Sequence, residues 1–301
     1  MSNTVLNTEH IPEGGAVGPL NSGWRLALRE FTSNKLAVAG VAILVFFLLF
    51  SFLGPFVYHG DYLVANLSAT NDPPGAGHPL GTDTEGFDVL AELMKGGQAS
   101  LEIGFLSAVI AITVGALWGA ISGLTGGLLD SAMMRVVDVL LSIPFLFIVL
   151  IVAVKYGATV LSLSLILGMF TWLVPARLVR GEVLTLKVRD FVLAARCAGS
   201  GRWRLINRHL LPNALSVIIV NVTFNIADAI LAVSYLGFLG FGLHYPNFDW
   251  GDLVNNGTEY LSDGYWWLVY PVGFCIVATV MACNFVGDAL RDALDVRLRR
   301  R

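Results

Sequence analysis

Six apolar stretches of about 20 residues alternate with polar segments along the chain. A helix of roughly that length spans the hydrocarbon core of a bilayer. Residues 36–58 are the clearest case, because LAVAGVAILVFFLLFSFLGPFV contains no charged residue. The pattern predicts an all-α integral membrane protein with six transmembrane helices, at about 36–58, 101–123, 137–155, 159–179, 214–237 and 265–287.

The polar segments divide the chain into regions. The N-terminal residues are rich in Gly, Pro and Asn and predict a flexible tail, and the basic amphipathic stretch Trp24–Lys35 predicts a helix along the membrane surface. The predicted regions are a cytosolic tail and amphipathic segment at 1–35, the first transmembrane helix at 36–58, an extracytoplasmic loop at 59–100, a five-helix core at 101–288 and a basic cytosolic tail at 289–301.

The connection at 181–213 differs from the others, because residues 182–213 contain eight charged residues. An apolar stripe that includes Phe191, Ala194 and Ala195 precedes Gly199-Ser200-Gly201. This pattern predicts two short helices that meet at the glycines and present a face to a soluble partner. A plain surface loop and a hairpin that packs only on itself are the alternatives.

Composition and charge agree with a membrane protein and orient it. The chain is 55% hydrophobic and 14% charged with a mean hydropathy of +0.71, whereas soluble domains carry about 25% charged residues. With the N-terminus in the cytosol, only Lys95 and Lys155 of the 19 Lys and Arg residues lie outside. Because basic residues favour the cytoplasmic side, we expect both termini and the connection at 181–213 in the cytosol.

The sequence contains no motif for catalysis or nucleotide binding. GxxxxGK[ST], HExxH and GxSxG are all missing, the five His residues are scattered, and the three Cys residues lack paired spacing. These observations predict a chain that is not an enzyme, binds no metal or nucleic acid, and does not itself bind ATP through a P-loop.

Small residues on the second apolar stretch predict close helix packing. Gly115, Gly119 and Gly123 form a GxxxGxxxG pattern on one helical face, and such patterns let two backbones approach each other. The partner helix lies within this chain or across a dimer interface.

Polar residues interrupt the fifth apolar stretch. Asn221, Asn225 and Asp228 are spaced i, i+4, i+7 and share one helical face. Such residues at membrane depth face a protein interior or a water-filled path. They therefore line a translocation pathway or form a structural hydrogen-bond cluster between helices.

Proline and aromatic residues suggest two further features. Pro144 and Pro175 interrupt the third and fourth stretches, where kinks are structural or part of a gate. The outer connection at 239–264, with Trp266-Trp267 after it, contains Trp250 and other aromatic residues, which predict an interfacial belt or contacts with a partner.

The charged connection resembles the cytoplasmic EAA loop of ABC-importer permeases. Leu193-Ala194-Ala195, then Gly199, then Leu211-Pro212 follow the spacing of that loop. Leu193 replaces its Glu, and His209 replaces its Ile as is usual in the dipeptide/oligopeptide subgroup. The lost Glu puts in doubt a salt bridge from that position to the ATPase.

Other segments extend the resemblance over nearly the whole chain. The N-terminal span and long first outer loop are similar to the DppC/OppC-type partner of the subgroup. Further segments with this similarity are 78–104, 126–147, 229–242, 250–254 and 284–301.

The resemblance implies a type I ABC importer permease fold with a cytoplasmic EAA-type coupling loop in a prokaryotic cell membrane. Implied partners are a second homologous permease chain (DppB/OppB-like), one or two P-loop ATPase subunits that hold ATP and Mg, and an extracytoplasmic substrate-binding protein. The implied ATPase-docking residues are Phe191, Leu193, Ala194, Ala195, Arg196, Gly199, Arg202, His209, Leu211 and Pro212.

Short peptides are the cargo that the resemblance implies. Haem, nickel and glutathione are alternatives for the same machine, and the spans do not distinguish among them. An ion-coupled secondary transporter is the rival class, although Asp228 is its only clear mid-span acid and the halves show no repeat.

Overall fold

A computed structural model describes residues 22–243 and 245–299, and the predicted flexible tail lies almost entirely outside them. This part of the chain is helical and contains no strand beyond an isolated bridge between Thr82 and Asp88. The all-α prediction is confirmed. The helices are α1 Ser22–Ser33, α2 Lys35–Val57, α3 Val89–Thr125, α4 Gly127–Ser142, α5 Phe145–Tyr156, α6 Val160–Thr171, α7 Leu173–Leu186, α8 Asp190–Cys197, α9 Arg202–Leu205, α10 Leu211–Asn213, α11 Leu215–Phe238, α12 Trp250–Thr258 and α13 Tyr270–Arg299.

Four helices are individually long and apolar enough to cross a membrane, and two bent helix pairs raise the possible number of spans to six. The single spans are α2, α3, α11 and α13 with the turn before it. The pair α4 and α5 bends by 81°, and the pair α6 and α7 bends by 43°. The first bend lies at Pro144, after Ile143 adopts an extended conformation, as expected for a residue before proline. The second lies at Trp172, three residues before Pro175.

Two helices extend well beyond the predicted apolar stretches. Helix α3 begins at Val89, twelve residues before the predicted start at 101, because Asp88 caps it by accepting a hydrogen bond from the Ala91 amide at 2.9 Å. Helix α13 continues through Arg299, so the described part of the basic tail is helical. Hydropathy marks only the apolar part of each helix and misses its polar ends.

The glycine pattern of α3 packs against α7, within the chain. A Cβ atom built on Gly115 would lie 2.7 Å from the Pro175 Cβ, and one on Gly119 would lie 2.8 Å from the Arg180 amide nitrogen. These distances are too short for a real side chain. The predicted close packing is therefore confirmed, and the partner is the fourth span.

The end of the helical bundle opposite the α8–α9 region, here called the outer end, is closed by the loop before α3 and by α12. Buried Asp88 accepts hydrogen bonds from Tyr58 Oη and His78 Nδ1, both at 2.7 Å. Trp250 is fully buried, and its indole donates to the Leu93 carbonyl at 3.0 Å. The belt interpretation is wrong for Trp250, which fills the core between α3, α12 and α2.

Candidate coupling hairpin and pathway cavity

Residues 190–213 fold into a compact helical hairpin, here called the charged hairpin. Helix α8 ends at a turn in which Gly199 has φ +79° and donates to the Arg196 carbonyl at 2.9 Å. The Ser200 amide donates to the Ala195 carbonyl at 3.0 Å. A left-handed residue at this position favours glycine, so Gly199 permits the sharp turn into α9.

The inner face of the charged hairpin packs on the spans. Val192, Leu205 and Leu210 are buried and share one apolar cluster with Leu124 of α3 and Val183 of α7. Burial of each such side chain contributes roughly 1.5–3 kcal/mol. The hairpin is therefore attached to the spans by an apolar core and moves together with them.

The second half of the hairpin contains a π-helical turn at Ile206–Leu210. The Leu211 amide donates to the Ile206 carbonyl, five residues back. Pro212 has no amide proton and its ring would collide with the carbonyl of Arg208 in a regular α-helix. The wider turn accommodates the proline without ending the helix.

Two ion pairs join α4 to α7 beside the hairpin. Asp130 accepts hydrogen bonds from two Arg180 nitrogens, Nε at 2.6 Å and Nη2 at 2.7 Å, and also from the Ser122 hydroxyl. Asp138 pairs with Arg177 in a more exposed position. The bidentate geometry restrains the angle between α4 and α7. It therefore also restrains the position of α7, on which the hairpin packs.

A cavity of about 900 Å³ lies between α4–α7, α11 and α13. All three residues predicted for the pathway, Asn221, Asn225 and Asp228, line it. The amides of Asn221 and Asn225 donate to carbonyls of α11 itself, at 2.7 and 3.0 Å. The amides therefore make no interhelical hydrogen bond among the described residues, and the three polar groups face the cavity.

Two family models cover most of the chain. Residues 87–300 match the model described as "Binding-protein-dependent transport system inner membrane component". Residues 22–74 match the N-terminal transmembrane domain of oligopeptide transport permease C. The chain belongs to this permease family.

Relatives of known name agree with this assignment. The chain is 38% identical over 297 residues to the dipeptide transport system permease protein DppC of Bacillus subtilis, covering 98% of this chain and 93% of that protein. It is 38% identical to the oligopeptide transport system permease protein OppC of Escherichia coli, covering 92% of each. The resemblance stated from the sequence is therefore confirmed for the family.

Most of the predicted docking residues lie on the face of the charged hairpin that points away from the spans. Phe191 and Leu193 are 41% and 44% exposed, although large apolar side chains in soluble surroundings are usually covered. The hairpin thus has an exposed face opposite its buried one. The other exposed predicted residues are Ala194, Arg196, Gly199, Arg202 and Pro212.

Three predicted docking residues are partly covered by the permease itself. Ala195 and Leu211 pack against the apolar cluster under the hairpin, and His209 is half-buried. These positions support the shape of the hairpin more than they offer a free surface. The structure therefore separates the predicted set into an exposed group and a supporting group.

The sequence reasoning missed one prominent residue of this face. Trp203 is 59% exposed, at the second position of α9. An indole between Arg202 and Arg204 in a connection expected in the cytosol was the signal that could have identified it, since exposed tryptophan is enriched at protein interfaces.

Proposed function

We propose that this permease is one of two membrane subunits of an ATP-driven importer of short peptides. The charged hairpin is the observation that supports the proposal, because one of its faces packs against the spans and the other exposes apolar and basic side chains. In this proposal a cytosolic P-loop ATPase holds ATP and Mg and contacts the exposed face. A second homologous permease completes the pathway, and an extracytoplasmic binding protein delivers the cargo.

The coupling follows from the construction of the hairpin. Nucleotide binding closes the ATPase dimer and displaces α8 and α9. Because Val192 and Leu210 are buried against α3 and α7, that displacement is passed to the spans around the cavity. Each state of the pathway is then stabilised by a different ligand, ATP on the inner side and loaded binding protein on the outer side.

The cavity that contains Asp228 is the proposed path for the cargo. Its polar groups lie on α11, while Arg177 and Arg291 line it as well. Glu182 also lines the cavity, and two acidic and two basic residues in one cavity suit a substrate that carries both an ammonium and a carboxylate. The names of the dipeptide and oligopeptide relatives support peptides over haem, nickel or glutathione as cargo.

Ala194→Asp tests the docking face. Ala194 is exposed whereas Ala195 packs on the hairpin core, so a charge at 194 disturbs a partner without disturbing the hairpin. We expect peptide uptake by proteoliposomes to fall at least about tenfold, since an unpaired charge is buried in the contact, and the ATPase to stop co-purifying. The measurement is ATP-dependent uptake of labelled di- to tetrapeptides.

The matched control for this experiment is Ala65→Asp, the same substitution at an exposed position of the outer loop. It should leave both uptake and co-purification unchanged. Full uptake by the Ala194→Asp protein would exclude docking at this face. Parallel assays with haem, nickel and glutathione identify the cargo, and uptake that needs an ion gradient and no ATP would indicate a secondary transporter.

A further inference from the structure

A second cavity, of about 660 Å³, lies at the outer end between the loop before α3 and the segment that contains α12. It is here called the outer acidic cavity. It shares no lining residue with the pathway cavity. It therefore does not open into the proposed cargo path in this conformation. Five acidic residues line it: Asp83, Glu85, Glu92, Asp252 and Glu259.

Glu92 is the unusual member of this set. Its side chain is 92% buried, on the first turn of α3, and lines the cavity. Among the described residues no side chain or amide donates a hydrogen bond to its carboxylate and no base forms an ion pair with it. The acidic side chains of Asp83, Glu85 and Asp88 are close enough to interact with it electrostatically. A buried carboxylate without a partner is costly, so the site is incomplete as it stands.

The rest of the lining favours an organic cation. Aromatic rings of Tyr62, Phe87, Tyr245 and Phe248 line the same cavity, and the Lys95 ammonium lies 6.0 Å from the centroid of the Tyr62 ring. Their faces attract cations at distances within about 6 Å. A guanidinium is planar, stacks on such rings and carries five donors for several carboxylate oxygens. An arginine side chain therefore matches this lining better than a small spherical ion.

We propose that the outer acidic cavity receives an arginine side chain of the extracytoplasmic binding protein, with Glu92 as its ion-pair partner. This inference rests on the proposed function, because it presumes binding-protein-dependent import. Its basis is the complementarity between a buried, unpartnered carboxylate in an acidic and aromatic cavity and a guanidinium. Docking would thus complete a charge pair that the free permease leaves open.

Glu92→Gln tests this proposal, because it removes the charge and keeps the size. The assembled transporter is reconstituted in nanodiscs and titrated with its purified binding protein at low and high salt. We expect Glu92→Gln to weaken binding at least about tenfold and to reduce its salt dependence. Glu259→Gln, at an exposed position of the same lining, should give a smaller change of the same sign.

The matched control is Asp263→Asn, which removes one outer charge at an exposed position outside the cavity. It should leave the affinity unchanged. A double-mutant cycle then locates the arginine: substitutions of the binding protein's arginines are combined with Glu92→Gln. The arginine that enters the cavity is the one whose loss has no further effect in that background.

Three outcomes would overturn the proposal. Equal affinities for Glu92→Gln and Asp263→Asn would show that Glu92 has no partner in the binding protein. Unchanged affinity with lost uptake would assign the cavity to the peptide's own ammonium. Loss of the Glu92→Gln effect in the presence of a chelator would assign it to a bridging metal ion. Failure of the proposed function looks different, because the wild-type transporter would then show no ATP-dependent peptide uptake.

Discussion

Single glycine and acidic residues determine how closely the helices pack and how the outer end responds to pH. Gly119 allows α3 to touch the backbone of α7, and Asp249 and Asp252 form a carboxylate pair at the start of α12. The glycine pattern was readable from the sequence because its spacing is local. The acidic pair was not, because its burial depends on the loop that follows α11.

Gly119→Val should destabilise the protein. A Cβ at this position would overlap the Ala176 carbonyl and lie 2.8 Å from the Arg180 amide nitrogen, so the two helices must separate. We expect a loss of roughly 1–3 kcal/mol of unfolding free energy, measured as a lower midpoint of thermal unfolding in detergent. Gly273→Ala is the control, because no atom outside the neighbouring backbone of its own helix lies within 4 Å of its built Cβ; an equal loss there would contradict the packing argument.

Asp252 should make the stability of the outer end depend on pH. Burial, with the charge of Asp249 beside it, raises the pKa of Asp252 from 3.8 to about 8. Between these two values the folded protein holds a proton that the unfolded chain releases, so stability falls as pH rises and levels off above about 8. Thermal unfolding at pH 5 to 9 measures this slope.

Asp252→Asn should flatten this dependence. The amide resembles the protonated acid and can donate to Asp249, while its oxygen still accepts from the Asp249 amide, as the Asp252 carboxylate does at 3.1 Å. Asp263→Asn, at an exposed position, should keep the wild-type slope. An unchanged slope in the Asp252→Asn protein would assign the pH dependence to another group.

At the scale of elements, the sequence predicted most helices and the interruptions near Pro144 and Pro175, but it missed the size of the bends and the residues at which some helices begin. Hydropathy located all six apolar stretches, because a run of about 20 mainly apolar residues is typical of a membrane-spanning helix. The angle of the bend at Pro144, 81°, could not be predicted from the sequence. A proline permits a break in a helix, but tertiary packing sets the angle of that break. Trp203 was missed because exposure is a tertiary property.

The two ion pairs between α4 and α7 should contribute unequally. The Asp130 and Arg180 side chains are 11% and 32% exposed, whereas those of Asp138 and Arg177 are 47% and 48% exposed. Double-mutant cycles with alanine should give a coupling free energy of roughly 1–3 kcal/mol for the buried bidentate pair. The exposed pair should give less than about 1 kcal/mol. Equal couplings would contradict the burial argument.

At the scale of the whole molecule, the distribution of charge predicts the orientation of the chain in the membrane, since helix positions are the same for either direction of insertion. The native cysteines offer a test, because Cys197 on the charged hairpin is exposed while Cys275 and Cys283 are buried. The candidate docking site was likewise predictable only in part. Its residues were predictable from a local motif, but the separation of exposed Ala194 from supporting Ala195 required the packed structure.

A membrane-impermeant maleimide should therefore label Cys197 in inside-out vesicles and leave it unlabelled in right-side-out vesicles. Cys197→Ser should abolish the signal, since the two remaining thiols are buried. Labelling only in right-side-out vesicles would reverse the predicted orientation. Protection of Cys197 by added ATPase would give independent support to docking on the charged hairpin.

Helix α3 has a length that no other span shares. Its 37 residues extend about 55 Å at 1.5 Å per residue, roughly 25 Å more than the hydrocarbon core. It contains no proline, and it carries Glu92 near one end and Leu124, under the hairpin, at the other. Such a helix behaves as a stiff strut across the membrane, so a force applied by a docked protein on one side arrives on the other without a relay of separate contacts.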